Sequence, residues 1–505
     1  MTLALPTINK MKQLADEIGL DISNDELEIY QNFIGNDLRS IRKLDLIADY
    51  LPKVKYPRQN NYETLPSHNP YNAWATKFNV KGSGKGILKG KSIILKDSVF
   101  LAGAPAKNGT SILEDFIPQF DATVVTRILD EGGEIVGKAN SEFMGLCGGS
   151  HSSDHGNVNN PRKKGFSSGG SSSGVAALVA SGEVDMGIGG DQGGSIRIPA
   201  SFSGICGMKP THGLVPYTGV MSMDPFLDHC GPLTRNVFEN ALLLEAIAGP
   251  DGIDSRQINL KVEKYTNFQT KNLKDFRIGI VKEGFDTLGS EKEVDIAVRD
   301  SAKKLSEFGA TVEEISVPMQ SYVAAIYTPI VIQGIARSMF WSYGTGVGRD
   351  DQYSGTLSEK IKSLLMQPNQ LPETGKLFLL EALHFEKEFG LSYYSKAMNL
   401  ARKLRKSYDN VLSNYDVLIM PTLPMKATPL PSNDDPIDYR ITKAFEMNGN
   451  AMTFNMTHHP AFSLPCAKIN DLPVGLMMIS NFFSEKTIYQ VAGQFENIFK
   501  WEEVK

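Results

Sequence analysis

The sequence lacks several features that would place a protein in a special class. Its 505 residues include only four cysteines, which are scattered and form no CxxC motif: Cys147, Cys206, Cys230 and Cys466. This spacing predicts reduced core or site residues of a cytosolic protein rather than a disulfide framework. The chain has no run of about 18 or more apolar residues, so we expect no membrane-spanning helix. Residues 1–6 lack a basic stretch followed by an apolar block, so we expect no secretory signal.

A large excess of charge of either sign is also missing. The chain carries 52 lysines and arginines against 57 aspartates and glutamates, a formal net charge of −5. Nucleic acid is therefore not expected as a partner, because nucleic-acid-binding proteins concentrate positive charge. With 41% hydrophobic and 22% charged residues, the composition is that of an ordinary globular protein, which excludes disordered and coiled-coil classes. We expect a soluble, cytoplasmic protein with a large core.

Residues 1–75 are predicted to form a small N-terminal α-helical region. A short amphipathic segment spans 7–18, and Ser23 supplies an N-cap signal for a second helix. The second segment has apolar residues recurring every three or four positions: Leu27, Tyr30, Ile34, Leu38, Ile41 and Leu44. Such a face either covers the main core or forms a dimerisation element, and the pattern leaves both open.

The rest of the chain, residues 76–505, is predicted to be an α/β domain. Short apolar runs alternate there with amphipathic segments. The candidate strands are 92–95, 134–137, 186–189, 277–281 and 416–420. The candidate helices are 123–131, 175–180 and 290–308, followed by a mostly helical segment around 315–410. This alternation is typical of a mixed or mostly parallel sheet.

Two segments rich in glycine and serine are the strongest candidates for chemistry. Residues 165–174 hold four glycines and five serines, and 187–199 contain Gly193-Gly194-Ser195. Either alone could be a flexible linker, but both are followed by apolar, structured sequence. Glycines let backbone N–H groups converge on one point, where they can bind a phosphate or stabilise an oxyanion.

Three chemical interpretations compete for these segments. A phosphate-binding P-loop fails, because Lys85 occupies the position where the motif ending at Gly90-Lys91-Ser92 needs glycine. Two segments, 165–169 and 170–174, match the GxSxG motif of a nucleophile elbow. This motif must follow a strand, whereas 159–164 are predicted to be a loop, so the elbow interpretation is disfavoured. The third interpretation is a serine nucleophile with a base other than histidine.

Lys96 is the candidate base. It ends the apolar run Ile93-Ile94-Leu95, where burial would disfavour its charged form and lower its pKa. A neutral lysine can accept a proton, whereas an exposed lysine is charged at neutral pH. The alternative is a strand-end lysine whose amine reaches solvent.

These residues resemble the amidase signature family. The resemblance rests on Lys96-Asp97, the 169–172 segment and the 191–197 segment, together with their spacing. Further matching segments are 137–140, 204–210, 231–235, 421–422 and 472–476. The similarity covers roughly residues 85 to 495, and the N-terminal helical part is similar to an extension found in one bacterial branch. The resemblance implies a mixed, twisted β-sheet core flanked by helices on both sides.

The resemblance also implies a role for each site residue. Ser195 would be the nucleophile, Ser171 a bridging serine preceded by a cis peptide bond, and Lys96 the base of a Ser-cisSer-Lys triad. The implied oxyanion hole consists of the backbone amides of Gln192, Gly193, Gly194 and Ser195. The implied supporting residues are Ser172 and Asp191, with Arg197 in a structural role.

No cofactor and no metal is expected. His151 and His155 are four residues apart, but their glycine-rich surroundings predict a loop, which argues against a zinc site. His458-His459 precedes Pro460, and we expect a structural role for this pair.

The substrate-binding residues are the least specified. Leu146, Phe226, Leu227 and Met447 could build an apolar acyl pocket suited to aromatic or branched acyl groups. Cys147, next to Gly148-Gly149, could touch the substrate.

The leading hypothesis is a homodimeric amidase that hydrolyses small carboxamides to a carboxylate plus ammonia or an amine. The first alternative is the glutaminase-type A-subunit of a tRNA-dependent amidotransferase. Against it, Ile198 follows Arg197 where that protein usually has glutamine, and 228–232 resemble the aryl- and aliphatic-amide branch. The second alternative is a non-catalytic binding protein on an amidase scaffold, which the intact Lys96, Ser171 and Ser195 disfavour.

Overall fold

The computed structural model describes residues 3–58, 62–268, 272–344 and 346–503. It divides into two compact units, Met1–Pro52 and Lys53–Lys505. The division lies at Pro52 rather than at the predicted residue 75. Residues 62–75 belong to the larger unit, because strand β1, Glu63–Thr64, pairs with a strand of its sheet.

The small unit contains the two helices that the pattern predicts. Helix α1, Ile8–Glu17, is capped by the Thr7 side chain, and α2, Asn24–Ile41, begins with a reciprocal capping box between Ser23 and Glu26. A 3-10 turn, Arg42–Leu46, follows. Much of the apolar surface of this unit is exposed; the exposed apolar residues include Ile18, Ile29, Tyr30, Phe33, Ile41, Leu44 and Leu46.

The large unit is built on a twelve-stranded mixed sheet with the order β1-β2-β4-β3-β7-β9-β8-β13-β14-β12-β10-β11. The remaining strands are β2 Trp74–Lys81, β3 Ser92–Lys96, β4 Glu134–Ala139, β5 Asn159–Asn160, β6 Lys163–Ser167, β7 Met186–Asp191, β8 Cys206–Lys209, β9 His229–Thr234, β10 Arg277–Val281, β11 Thr311–Ile315, β12 Val417–Pro421, β13 Ala461–Ile469 and β14 Leu472–Ile479. Strand β3 runs parallel to β4 and β7, and β10 runs parallel to β11 and β12. Every predicted strand is present.

Helices cover the sheet. They are α3 Thr123–Asp130, α4 Ser173–Ser181, α5 Arg197–Ser203, α6 Val237–Ile247, α7 Lys292–Glu307, α8 Val323–Pro329, α9 Gly355–Leu365, α10 Glu373–Phe389, α11 Ser392–Leu412, α12 Ile437–Phe445, α13 Thr453–Thr457 and α14 Glu485–Ile498. Helices α4 and α5 pack together against the central strands, while α3, α6 and α14 pack on one another and on the sheet. The α/β class with a mixed sheet is confirmed.

The mostly helical segment after β11 is also present. It includes π-helical turns at Ile330–Gly334 and Ala336–Trp341, between α8 and α9. Within the described residues, one helical run, Pro318–Trp341, is long and apolar enough to cross a membrane. Just over half, 56%, of its most apolar stretch is buried inside the protein, as in a core helix.

The predicted loop at 159–164 is wrong. Strands β5 and β6 form a two-stranded antiparallel sheet apart from the main one. Its residues are polar, so no apolar pattern marks it; instead the Asn160 side chain donates to the Ser167 carbonyl, and the Asn159 side chain accepts from the Gly165 amide. These side-chain bonds stabilise a short strand that has little apolar surface.

Candidate active site

Lys96 lies at the carboxyl end of β3, between two parallel neighbours, and its side chain is buried. Its Nζ donates a hydrogen bond to Ser171 Oγ at 2.6 Å. Burial lowers the pKa of Lys96 to about 8, although the nearby carboxylates of Asp191, Glu142 and Asp228 favour the charged form. A lysine with this pKa is partly neutral near physiological pH and can act as a base.

Ser171 lies in the turn that leads from β6 into α4. The Gly170–Ser171 peptide bond is cis. The Ser171 carbonyl accepts a hydrogen bond from the Glu142 amide at 3.3 Å. A Cβ added at Gly170 would lie 2.8 Å from Glu142 Cγ, so only glycine fits between this turn and the segment after β4.

Ser195 lies in the turn between β7 and α5. The Asp191 carboxylate accepts hydrogen bonds from the amides of Gly194, at 2.8 Å, and Ile196, at 3.1 Å, on either side of Ser195. The Ser195 carbonyl accepts from the Ser172 amide at 3.2 Å, which joins the turn to the segment that carries Ser171. These bonds place Ser172 and Asp191 where supporting residues are predicted.

A buried ion pair stabilises the turn that carries Ser195. Arg197 donates through Nε and Nη2 to the two oxygens of Asp191, at 3.0 and 2.9 Å, and both side chains are fully buried. Asn455 adds a third hydrogen bond to the carboxylate at 2.9 Å. Burial by itself would raise the pKa of Asp191, but the charge of Arg197 and these hydrogen bonds outweigh it and lower the pKa to about 2. Asp191 therefore stays ionised.

The turn also presents the predicted oxyanion-hole residues Gln192, Gly193 and Gly194. Gly194 has φ +128°, a conformation that favours glycine. Tyr327 Oη donates to the Gln192 carbonyl at 3.2 Å and packs against Gly193. The Gln192 carbonyl is thus engaged by Tyr327, and the Gly194 amide is engaged by Asp191. The other amides of the turn are the candidates to bind an oxyanion.

The Gln192 side chain is fixed as well. Its Nε2 donates to Tyr217 Oη at 2.7 Å and to Asp228 Oδ1 at 2.9 Å. Its Oε1 is buried and has no hydrogen-bond partner among the described residues. This oxygen is a buried acceptor in the residue that begins the predicted oxyanion hole.

Comparison with known proteins identifies the family of this chain. The family model described as "Amidase" matches residues 57–489. The chain belongs to the amidase signature family. It is 38% identical over 434 residues to an enantioselective amidase of Rhodococcus rhodochrous, covering 84% of this chain and 83% of that protein. It is also 34% identical to a glutamyl-tRNA(Gln) amidotransferase A-subunit of Shouchella clausii, covering 91% and 93%.

Solved structures of this family have the same fold. The glutamyl-tRNA(Gln) amidotransferase A-subunit from Thermotoga maritima superposes with a TM-score of 0.70 at 29% identity, covering 84% of this chain and 86% of that one. The peptide amidase of Stenotrophomonas maltophilia gives 0.68 at 26% identity, covering 83% and 84%. This amidase-family protein is therefore a hydrolase that acts on amide bonds.

The residues predicted to line an acyl pocket differ in how deeply they are buried. Leu146 and Phe226 are half-buried, but Leu227 and Met447 are fully buried. Met447 packs in an apolar cluster with Ile198 and Ala451, and its role in substrate binding stays a prediction. Motif position could not show which way these side chains point.

Cys147 is buried in this amidase. Burial raises the pKa of its thiol to about 12, so it remains protonated and is no nucleophile near neutral pH.

Two residues next to the Lys96–Ser171 pair carry no sequence signal. A Cβ added at Gly145 would lie 3.1 Å from Met223 Sδ, 3.6 Å from Ser171 Oγ and 3.9 Å from Lys96 Nζ. Gly145 therefore leaves open space over the Lys96–Ser171 pair, and the sulfur of Met223 borders that space.

We expect Lys96→Met to lower kcat/KM by about 10³-fold, because methionine keeps the apolar stem but cannot accept a proton. Lys138→Met is the matched control. Lys138 is also fully buried, with a pKa lowered to about 8 by burial, but it pairs with Leu95 in the sheet and so lies on the face opposite Lys96. Equal losses in the two variants, both folded by circular dichroism, would contradict the assignment of Lys96.

We expect Arg197→Met to lower the free energy of unfolding in urea by about 3–5 kcal/mol, because it leaves the Asp191 carboxylate buried without its cation. The double variant Asp191→Asn with Arg197→Met removes both charges and should recover part of that loss. A double variant no more stable than the single one would show that the loss does not come from an uncompensated charge.

Proposed function

We propose that this chain is an amidase that hydrolyses small carboxamides to a carboxylate and ammonia or an amine through a serine acyl-enzyme. The observation that carries the proposal is the 2.6 Å hydrogen bond between the buried amine of Lys96 and Ser171 Oγ, beside the turn that carries Ser195. A buried amine with a lowered pKa, a relay hydroxyl and a glycine-rich nucleophile turn together provide what amide hydrolysis needs.

The proposed reaction has two halves. In the first, neutral Lys96 takes the proton of Ser171, Ser171 takes that of Ser195, and Ser195 Oγ attacks the amide carbon. The amides of the 192–195 turn, apart from that of Gly194, which donates to Asp191, bind the developing oxyanion. The proton returns through Ser171 to the leaving nitrogen, the C–N bond breaks, and the amine departs.

In the second half, water attacks the acyl-enzyme. It gives its proton to Lys96 by the same relay. The C–O bond to Ser195 then breaks, the proton returns from Lys96 through Ser171 to Ser195 Oγ, and the carboxylic acid leaves. No cofactor or metal enters either half.

Ile198 favours a free amidase over an amidotransferase A-subunit. Its side chain is buried in the apolar cluster with Met447 and Ala451. A glutamine at this position, as in the amidotransferase protein, would bury an amide among apolar side chains without a partner, which is costly. We infer a small amide with an apolar acyl group as the substrate. Leu146 and Phe226 stay the predicted contacts of this group, and Met223 borders the space over Lys96 and Ser171.

The amidotransferase A-subunit is kept as the second candidate, because several curated relatives, such as that of Shouchella clausii, bear this name. Purification of the tagged chain from its native cells distinguishes the two. A single chain that hydrolyses added amides supports the amidase, whereas stoichiometric partner proteins that are needed for activity support the amidotransferase.

Cytoplasmic location and the absence of a nucleic-acid partner belong to the same proposal. The four cysteines are all buried and free, as suits a reducing compartment. The formal net charge of −5 does not favour binding to nucleic acid.

We expect Ser195→Ala to lower kcat by at least about 10³-fold, since it removes the nucleophile. Ser173→Ala is the matched control, because Ser173 is buried in α4 and its Oγ has no hydrogen-bond partner among the described residues. With hydroxylamine present, wild type should convert an amide substrate to the hydroxamate, and chelator should leave the rate unchanged. Hydrolysis that depends on a chelatable metal and gives no hydroxamate would overturn the acyl-enzyme.

We further propose that the chain is a homodimer joined through the exposed apolar surface of the small unit. Phe33 in α2 is 65% exposed, so Phe33→Glu should halve the mass measured by light scattering and leave kcat unchanged. Asn32→Glu adds the same charge at the neighbouring exposed position without removing an apolar side chain, and it should keep the wild-type mass. A monomeric wild type would reject the homodimer.

A further inference from the structure

Three histidines from separate segments converge on one tripeptide beside the active site. His212 follows β8, His229 begins β9, and His458 follows α13. One nitrogen of each ring forms a hydrogen bond to a backbone carbonyl, and the three carbonyls belong to successive residues. The pairs are His212 Nε2 with Pro225 O at 2.9 Å, His458 Nε2 with Phe226 O at 2.8 Å and His229 Nδ1 with Leu227 O at 2.8 Å. A carbonyl only accepts hydrogen bonds, so each of these nitrogens carries a hydrogen.

The three rings also pack on one another. The His212 and His458 rings are stacked, with centroids 4.0 Å apart and planes at 10°, and His229 meets His212 edge-on at 5.1 Å. Arg405 Nη2 donates to His458 Nδ1 at 2.8 Å, which requires that nitrogen to be unprotonated. Burial lowers the pKa of His212 to about 3 and holds those of His229 and His458 well below the usual range. All three are neutral donors.

The segment that they hold, residues 222–228, has no strand partner for these carbonyls. Its internal bonds run from the amides of Leu227 and Asp228 to the Asp224 carbonyl, both at 2.8 Å, and from the Phe226 amide to the Asp224 carboxylate. These bonds use the amides of the segment and leave the carbonyls of 225–227 to outside donors. The histidines therefore connect this segment to the rest of the fold.

Two residues of the 222–228 segment contact the candidate active site. Asp228 Oδ1 accepts from Gln192 Nε2 at 2.9 Å and thereby orients a residue of the oxyanion-hole turn. Met223, whose amide bonds the same carboxylate at 3.1 Å, places its sulfur at the space over Lys96 and Ser171. A shift of 222–228 moves both contacts together.

We propose that His212, His229 and His458 are positioning residues that fix the 222–228 segment and thereby set which acyl groups the amidase accepts. The inference rests on the proposed amidase function for its effect on selectivity, but not for the placement of the segment. This positioning requires a donor at the Nε2 position of His212 and His458 and at the Nδ1 position of His229. A side chain that only fills the space is not enough.

Amide side chains test this requirement, because they can place a donor at one ring position or the other. Glutamine carries its N–H₂ near the Nε2 position, and asparagine near the Nδ1 position. The matched variants are therefore His458→Gln and His229→Asn, and the swapped variants are His458→Asn and His229→Gln. His458 has φ +70°, which asparagine tolerates better than glutamine, so backbone strain cannot account for a loss in His458→Asn.

Hydrogen–deuterium exchange of peptides that span 222–228 is the first readout. We expect both swapped variants to lose protection there and both matched variants to keep it. The second readout is the ratio of kcat/KM for a small and a bulky acyl amide, acetamide and benzamide, which the swapped variants should change by about 10- to 100-fold. Matched and swapped variants that behave alike in exchange would overturn the proposal.

His459→Asn, which moves the donor away from the Nε2 position, is the control for a merely structural loss. His459 is buried and adjacent to His458, but its Nε2 meets Asp409 Oδ1 at 3.0 Å and not the 222–228 segment. This variant should lower the melting temperature without changing the kcat/KM ratio, and a shift as large as in the swapped variants would overturn the proposal. If wild type hydrolyses no amide, the proposed function fails, while the exchange measurement still decides whether the histidines position the segment. His212→Gln against His212→Asn repeats the test if a His458 variant does not fold.

Discussion

The site depends on one constraint, which is that the amine of Lys96 is taken out of water at the end of a central strand. Water would keep this amine charged, and a charged lysine cannot act as a base. The sheet provides the burial, because β3 lies between two parallel strands and ends under the turn that carries Ser171. In the proposed mechanism, the hydrogen bond to Ser171 lets this buried amine, which would otherwise only destabilise the fold, act as the base.

Asp191 is treated in the opposite way to Lys96, because burial does not remove its charge. Its carboxylate is equally buried but stays ionised, because Arg197 and Asn455 compensate its charge. An ionised Asp191 can accept the two amides that shape the Ser195 turn, whereas a protonated one would accept them less well. Lys96 can thus become neutral while Asp191 stays charged, although both are buried. Their charge states differ because different partners reach each group. The neutral histidines at 212, 229 and 458 extend the same principle to the 222–228 segment.

The parts of this account that the sequence could predict are those encoded locally. Buried strands appear as short apolar runs, and Lys96 lies at the end of one such run. Ser195 lies in a glycine-rich turn, a kind of segment that has few other uses. The order of the strands could not be predicted, because it depends on pairings between distant segments. For the same reason Met223, Tyr327 and Asn455 were missed, since each reaches the site from another part of the chain. The burial of Met447 in an apolar cluster could not be predicted either, because position in the sequence does not fix the direction of a side chain.

The central claim is that a buried lysine, neutral at its working pH, activates Ser195. The most direct test is the rate at which a fluorophosphonate modifies Ser195 in the free enzyme, measured from about pH 5 to about pH 10. Since Lys96 must lose its proton to act, the account predicts a rate that rises with pH through a single ionisation at about 8 and then levels off. The rise should disappear in Lys96→Met. A rate that is independent of pH over this range, or a rise that persists without the lysine, would contradict the account.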